Sequence, residues 1–373
     1  MAGLYIHIPF CRSKCIYCDF YSMPPRGRAE EYVAALRREW ELRHDELHGE
    51  AVTTLYMGGG TPSLLAPQQI ANILEVLPLD NVVEFTIEAN PDDVTPDYAH
   101  ALAAMGVNRV SMGVQSFDDR DLRAINRRHT AAQAVEAVEH CLAAGIINVG
   151  IDLIYGLPGQ TLDAWCDNVT RALSLPVKHL SAYNLSYERG TRLWVLRERG
   201  LITEVDDDTC VAMHETLCDL ATNAGWEHYE ISNFARPGFR SRHNSSYWDS
   251  TPYLGLGAAA HSFDGRVRSA NPPHMRCYLE AIAAGRAACE RETLQLWERH
   301  DEEVMLRLRT SDGLDLNAFA ARYGNKAAET LETKAASFID RGLLRRDGTT
   351  LRLTRSGIML SNQVIAALMS DEP

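Results

Sequence analysis

The sequence predicts an α/β protein: a partial (βα)6 barrel, then an α+β extension and a winged-helix-like C-terminal domain. From residue 4 to about 186, short apolar runs alternate with longer helical patterns, which favours parallel strands joined by right-handed crossovers. From about residue 298, a helix, a turn and a second helix precede a hairpin that turns at Asp347-Gly348. We therefore expect three units: residues 1–205, 206–290 and 291–373.

Six strands are predicted in the first unit. They are short and mostly apolar, as expected when both faces of a sheet are covered, and lie at residues 4–8, 53–57, 82–88, 107–112, 148–154 and 179–184. Helical patterns near 28–48, 66–77, 95–105, 130–144 and 161–174 separate them. In the first of these helices, Tyr32, Leu36 and Trp40 are spaced four apart, which indicates one buried face. Thr95, Thr130 and Thr161 fit the N-cap positions of three others.

After residue 205 the pattern changes. Residues 207–224 predict a helix and residues 226–233 a strand, and a loop rich in Gly, Ser, Asn and aromatic residues is expected to run to about 275. Winged helices often bind DNA. The formal net charge of -13 and the modest charge of the hairpin instead favour packing or partner docking. We therefore expect no nucleic-acid partner.

Composition also bears on location. The first nine residues lack the basic start and the long apolar stretch of a secretory signal. No window approaches the ~20 apolar residues that span a bilayer. Nine cysteines, an odd number, argue against a disulfide framework. These features predict a cytoplasmic protein without a transmembrane segment, and they leave peripheral membrane contact and the oligomeric state open.

Three cysteines follow the first predicted strand at C-x3-C-x2-C spacing, Cys11, Cys15 and Cys18. Three thiolates can hold an iron–sulfur cubane and leave one iron open for a chelating ligand. The alternatives are a zinc knuckle or ordinary buried cysteines. Zinc would need a fourth ligand at fixed spacing, so the spacing favours the cluster. The other six show no ligand spacing and are interpreted as small buried apolar groups: Cys141, Cys166, Cys210, Cys218, Cys277 and Cys289.

Other unusual residues follow the later strands, where ligands bind in parallel βα barrels. They are Gly58-Gly59-Gly60-Thr61-Pro62, Glu88, Gln115, Asp152 with Gly156-Leu157-Pro158, and Ser186. Taken singly, a glycine run is more often a turn, and a buried acid is often a cap or a structural pair. Together on one rim, they predict a pocket in which the glycines let backbone groups approach a ligand. Its polar groups would suit a ribose, an amine and a carboxylate.

These segments occur in a recognisable order: Y-I-H-I-P-F-C-R-S-K-C-I-Y-C, M-G-G-G-T-P, I-E-A-N-P, R-V-S-M-G-V-Q-S-F, N-R-R-H and D-L-I-Y-G-L-P-G-Q-T. Over almost its whole length, the chain resembles the oxygen-independent coproporphyrinogen oxidase group of radical-SAM proteins. The resemblance implies a radical-SAM barrel whose three cysteines bind a 4Fe–4S cluster, with Tyr17 between two of them. It places Tyr5, Gly59, Gly60, Thr61, Glu88, Gln115, Arg127, Asp152 and Ser186 around S-adenosylmethionine.

In such proteins an electron donor reduces the cluster, which then cleaves the bound sulfonium. Two departures put oxidase activity in doubt. The oxidases resemble C-x3-C-x2-C-x-C, but this chain has Phe20 at the last position. They also carry an extension before the first strand, whereas this chain begins four residues before Tyr5. We expect coproporphyrinogen oxidase activity to be absent. Whether the protein is an enzyme at all stays open.

The segment His243-Asn244-Ser245-Ser246-Tyr247-Trp248 resembles the H-N-x-x-Y-W mark of the HemW heme chaperones, a sister branch. This resemblance implies a heme-binding protein that passes heme to an acceptor protein. Imidazole is a common axial ligand of heme iron, so His243 and His261 are both candidates. Alternatively, His243 caps a loop while Tyr247 and Trp248 are core. The alternative function is a decarboxylase of the oxidase type. A radical-SAM enzyme acting on a nucleic acid base is disfavoured by the charge.

Overall fold

A sheet of twelve strands forms the centre of the computed structural model, which describes residues 1–370. In chain order the strands are β1 (Ala2–Ile8), β2 (Val52–Gly59), β3 (Glu84–Ala89), β4 (Arg109–Gln115), β5 (Asn148–Tyr155), β6 (His179–Asn184), β7 (Glu227–Glu230), β8 (Asn233–Ala235), β9 (Tyr253–Leu256), β10 (His261–Phe263), β11 (Val267–Ala270) and β12 (Glu290–Thr293). Strands β1 to β6 are neighbours in chain order and all parallel. The predicted fold class is confirmed.

Helices alternate with these strands and share one core with them. They are α1 (Ala29–Arg43), α2 (Pro67–Leu74), α3 (Pro96–Ala104), α4 (Asp119–Ala124), α5 (Ala131–Ala143), α6 (Leu162–Ser174), α7 (Arg192–Glu198) and α8 (Asp207–Asn223). Of the predicted buried face of α1, Tyr32 and Leu36 are buried and Trp40 is half-buried against the same core. The hydroxyls of Thr95, Thr130 and Thr161 cap α3, α5 and α6, each accepting a backbone N–H at 3.2 Å. The three predicted N-caps are therefore confirmed.

Beyond residue 205 the structure corrects two predictions. Residues 226–233 form a hairpin of β7 and β8 rather than one strand, and β8 pairs antiparallel with β6. The predicted long loop contains a helix, α9 (Arg242–Trp248), and the strands β9 to β11, followed by α10 (Met275–Ala283). Strand β9 pairs parallel with β1, so the extension lengthens the sheet at its other edge. Strands of three or four residues are too short to produce a readable period in the sequence.

The C-terminal unit has its own core. It comprises α11 (Leu296–Leu308), β13 (Leu314–Asp315), α12 (Leu316–Tyr323), α13 (Asn325–Asp340), β14 (Leu344–Asp347), β15 (Thr350–Leu353), α14 (Arg355–Met359) and α15 (Ser361–Leu368). Phe319, Leu331 and Leu351 are among its buried residues. The three strands form a separate small sheet in the order β13-β15-β14. The expected helices and hairpin are therefore present. Among residues 1–370, no helix combines the length and apolarity needed to cross a bilayer.

Candidate functional site

The cysteine loop leaves the carboxyl end of β1 and is fastened to its surroundings by backbone hydrogen bonds. The N–H of Cys11 donates to the carbonyl of Met23 at 3.0 Å, and that of Ile16 donates to Ile125 at 3.3 Å. Cys11, Cys15 and Cys18 are free thiols and partly exposed. Burial raises the pKa of the Cys18 thiol to about 11. Any metal that binds Cys18 must therefore displace a proton.

A chain of polar contacts surrounds the cysteines. The Cys11 Sγ lies 3.3 Å from Thr61 Oγ1, which accepts a hydrogen bond from Asn90 Nδ2 at 3.3 Å. The Arg127 guanidinium donates to Asn90 Oδ1 at 2.7 Å and lies 3.5 Å from Cys15 Sγ. A fixed cation beside soft sulfur donors suits a thiolate-bound iron–sulfur centre, whose charge is negative. The residues present therefore fit an iron–sulfur cluster. Asn90 belongs to the chain of polar contacts around it, although the sequence reasoning did not select this residue.

The glycine run after β2 is required by close packing. Gly59 has a φ of +108°, and a Cβ there would lie 2.4 Å from the His7 ring. A Cβ on Gly60 would lie 2.8 Å from the carbonyl oxygen of Phe10, and one on Gly58 would lie 3.0 Å from Glu88. The end of β2 can therefore rest directly against the start of the cysteine loop. Its predicted role in holding a ligand stays a prediction.

Glu88 occupies the end of β3 and faces β2. Its carboxylate accepts hydrogen bonds from the Tyr56 hydroxyl at 2.8 Å and from the Gly59 N–H at 2.9 Å. Burial, opposed by the Tyr56 hydrogen bond and reinforced by the nearby Asp152, raises the pKa of Glu88 to about 7. Glu88 can therefore gain or lose a proton near neutral pH, or pair with a cationic ligand group.

A cavity of about 850 Å³ opens beside these residues. Three of the residues predicted around S-adenosylmethionine line it: Tyr5, Gly59 and Glu88. Further walls come from the cysteine loop, the extension and α11; they include Lys14, Phe20, Tyr21, Tyr247, Tyr253, His261, Phe263, Arg268, Glu302 and Leu306. The cavity therefore joins all three predicted units. Its extension walls lie on α9 and on strands that the sequence reasoning had assigned to a loop.

The remaining predicted residues have other surroundings. Gln115 ends β4 with a φ of +69°, in the left-handed region, and its amide folds back toward Gly113. Asp152 points to the Ser111 hydroxyl at 3.5 Å, and burial raises the pKa of its carboxyl. Tyr17 lies between Cys15 and Cys18, and burial raises the pKa of its hydroxyl. Ser186 is exposed in the loop after β6.

His243 is placed differently from the sequence expectation. It lies on α9 rather than in a loop and has no exposed surface. Its Nδ1 is 2.8 Å from the Thr54 hydroxyl, and its Nε2 is 2.8 Å from the Tyr247 hydroxyl. Burial lowers the pKa of its ring to about 3. Tyr247 separates the His243 ring from the cavity, whereas the exposed His261 lines the cavity directly.

Comparison with known proteins gives matches along the whole chain. Residues 5–171 match the radical SAM superfamily, and residues 294–360 match the HemN C-terminal domain. The chain is 35% identical to the heme chaperone HemW of Lactococcus lactis, covering 99% of this chain and 97% of that relative. It is 36% identical to HemW of Mycobacterium tuberculosis, covering 98% and 94%. A bovine mitochondrial relative, radical S-adenosyl methionine domain-containing protein 1, is 32% identical over 99% of this chain and 87% of its own.

Among solved structures, coproporphyrinogen III oxidase (HemN) from Escherichia coli superimposes with a TM-score of 0.84. The alignment covers 99% of this chain and 90% of that chain at 24% identity, so it establishes the shared fold alone. The sequence relatives also establish the family, because they match this chain from end to end at higher identity. On those matches, the chain belongs to the HemW heme chaperone family within the radical SAM superfamily.

Proposed function

We propose that this protein is a cytoplasmic heme chaperone, which binds heme and passes it to an acceptor protein. The observation that carries the proposal is the cavity itself, because its walls come from both the cysteine loop and the extension that bears the H-N-x-x-Y-W helix. Relatives of near-identical length are named heme chaperones. Its partners would be a heme acceptor protein and an electron donor that reduces the cluster.

The cluster half of the proposal rests on Cys11, Cys15 and Cys18. They would hold a 4Fe–4S cluster, leaving one iron for exchangeable S-adenosylmethionine, and the cluster would supply an electron to that ligand. Arg127 would balance the negative charge near Cys15. Tyr5, Gly59 and Glu88 would bind the ligand from the cavity wall. The other residues proposed around it are Tyr17, Gly60, Thr61, Gln115, Arg127, Asp152 and Ser186.

The heme half rests on the outer part of the cavity. Aromatic side chains such as Tyr253 and Phe263 offer flat apolar surface for a macrocycle. Lys14 of the cysteine loop and Arg268 of β11 are cations that line the cavity and could pair with the carboxylates of heme. The Arg268 guanidinium also pairs with the Glu302 carboxylate at 2.9 Å, which draws it toward α11. An apolar pocket with a few placed polar groups is the usual form of a cofactor site.

Two histidines are candidates for the axial ligand, and the geometry favours His261. Its imidazole lies on the cavity wall and is exposed. His243 could reach heme iron only if Tyr247 moved, because both of its ring nitrogens are already hydrogen-bonded. We therefore propose that His261 binds the iron, while His243 positions the Tyr247 hydroxyl at the cavity.

Titration of heme into the anaerobically reconstituted protein, followed through the Soret band, tests this assignment. We expect saturable, near-stoichiometric binding. His261→Ala should weaken binding and shift the Soret maximum, because the ligand to iron is lost. His243→Ala should weaken binding without moving that maximum. His100→Ala, at an exposed position of α3, is the matched control and should bind heme as the wild type does.

Two other outcomes would contradict these proposals. A Soret maximum that shifts in His243→Ala and not in His261→Ala would make His243 the ligand and would require α9 to open. Absence of saturable binding in the wild type would remove the chaperone proposal. Turnover of coproporphyrinogen would then be the next measurement, because an oxidase-type decarboxylase is the alternative for this fold.

A further inference from the structure

A second group of metal-binding side chains lies away from the cysteine loop, on α8 and β7. His214 and Cys218 are four residues apart on α8, and His228 is on β7. Cys218 Sγ is 3.4 Å from His214 Nε2 and 3.8 Å from His228 Nδ1. All three ligand atoms lie within 4.8 Å of one another. We propose that these side chains bind one Zn²⁺ ion, with a fourth coordination position open to a neighbouring cleft.

The donor set fits zinc. Two imidazole nitrogens and one thiolate are the soft and borderline donors that zinc prefers, whereas magnesium and calcium prefer oxygen. Residues four apart on a helix lie on one face, so α8 presents His214 and Cys218 to the same point. The hairpin that follows α8 brings His228 to that point from the sheet. Cys218 would bind as the thiolate and release one proton to solvent.

The orientation of His228 is independent support. Its Nε2 is 3.1 Å from the carbonyl oxygen of Ile231, which can only accept a hydrogen bond. Nε2 therefore carries the proton, and the lone pair of Nδ1 points toward Cys218. The ring also stacks on Phe234 with centroids 4.2 Å apart and an angle of 12°. A carbonyl that fixes the tautomer and angle of a histidine is the usual outer shell of a zinc ligand.

The fourth position is indicated by a cleft. Cys218 and His228 line a cavity of about 360 Å³ between α8, β7 and the C-terminal unit. Arg309, Arg352 and Arg355 are on its walls. Because these side chains are cationic, we expect the fourth ligand to be a water molecule or a small anion. An open position distinguishes this site from a closed structural zinc site.

The site was missed from sequence because its ligands come from two elements. Cys218 was interpreted as a buried apolar group, so its spacing of four from His214 was not considered, and His228 comes from a separate strand. The alternative is a purely structural, hydrogen-bonded cluster in which the Cys218 thiol donates to one histidine. Such a cluster would pack the same space without affinity for metal, so zinc affinity separates the two.

The experiment uses the full-length protein with its cluster reconstituted, and measures Zn²⁺ affinity by competition with a chelator. We expect one Zn²⁺ per chain. Cys218→Ser and His228→Ala should each weaken binding by more than the roughly 10–100-fold that follows loss of an outer-shell partner. Cys210→Ser is the matched control, because Cys210 is a buried cysteine on the same helix outside the group. Its affinity should equal that of the wild type.

X-ray absorption at the zinc edge of the wild type provides a readout that needs no variant. The expected shell has one sulfur at about 2.3 Å and two imidazole nitrogens at about 2.0–2.1 Å. Zinc affinity unchanged in both ligand variants would overturn the proposal. A shell with several sulfurs would also overturn it, because that zinc would lie on Cys11, Cys15 and Cys18. Absence of bound zinc in the wild type would support the packing cluster.

Discussion

At the scale of single residues, Cys15 stands out among the three loop cysteines because its Sγ lies 3.5 Å from the Arg127 guanidinium. We predict that Cys15→Ser abolishes the broad iron–sulfur absorbance after anaerobic reconstitution, because a hydroxyl is a poor ligand for this soft centre. Iron and sulfide content would be measured with the spectrum. Cys141→Ser, in the buried face of α5, is the control and should reconstitute fully. A complete cluster in Cys15→Ser would disprove its assignment as a ligand.

The raised pKa of Glu88 should make the free energy of unfolding depend on pH. Its pKa of about 7 when folded exceeds the ordinary value of 4.5, because burial disfavours the carboxylate. Between those pH values the folded protein holds the extra proton, so this residue makes stability fall as pH rises. The slope is at most about 1.4 kcal/mol per pH unit and vanishes above pH 7. Glu88→Gln, which cannot titrate, should therefore gain stability relative to the wild type as pH rises from 4.5 to 7.

Urea unfolding at several pH values measures that difference. The variant must be compared with the wild type, because His7 gives the free energy of unfolding a pH dependence of opposite sign to that from Glu88. Burial lowers the pKa of His7 to about 4, so its contribution makes stability rise with pH between about 4 and its ordinary value of 6.5. Glu31→Gln, at an exposed position of α1, is the control. A Glu88→Gln difference that is the same at every pH would show that Glu88 is ionised throughout.

The sequence located some residues of the site and missed others for a physical reason. The cysteines and Glu88 stand at strand ends within distinctive segments, so their shared rim could be inferred. Asn90 lies in the quoted I-E-A-N-P segment, but its contacts with Arg127 and Thr61 depend on how β2 to β4 pair. The group of His214, Cys218 and His228 forms only when a hairpin folds against a helix.

At the scale of elements, the six parallel strands and five of their helices were predictable, because the strands are short apolar runs and the helices carry a helical period. Three of those helices also carry a threonine N-cap, whereas α4 and α7 were not predicted. Thr130 is an example, since its hydroxyl and Gln133 cap α5 reciprocally. The extension was not predictable, because β8 and β10 have three residues each and take their places in the sheet only by pairing with neighbouring strands. The pairing of β9 with β1 joins residues about 250 positions apart, which no local pattern can show.

The C-terminal unit is an element whose stability can be tested alone. Phe319 is fully buried in its core, so Phe319→Ala should cost about 3–5 kcal/mol through lost burial and the cavity left behind. Because this core is separate from that of the barrel, limited proteolysis should cut within residues 294–370 first. Leu296→Ala, at an exposed position of α11, is the control and should leave the cleavage pattern unchanged. Equal early cleavage in the barrel would show that the two cores unfold together.

At the scale of the whole molecule, one buried ion pair connects the barrel to the extension. Arg43, at the end of α1, pairs with Glu39 at 2.8 Å and donates to the Gly255 carbonyl at 3.1 Å and the Ser269 hydroxyl at 3.1 Å. Glu39 accepts from the Gly257 N–H at 2.7 Å. These contacts hold β9 and β11, which carry part of the cavity wall, so the site depends on a network behind it.

Breaking this network tests that dependence. Arg43→Met should lower the free energy of unfolding by about 3–5 kcal/mol, because Glu39 is left buried without its cation. Heme affinity should fall as well, since the strands bearing Tyr253 and Arg268 lose their anchor to α1. Denaturant unfolding and the heme titration measure the two effects. Arg37, on the same helix as Arg43, forms a partly exposed ion pair with Glu75 at the end of α2, and Arg37→Met should cost no more than about 1 kcal/mol. If Arg43→Met lost stability but kept its heme affinity, the cavity wall would be held by the β1–β9 pairing instead.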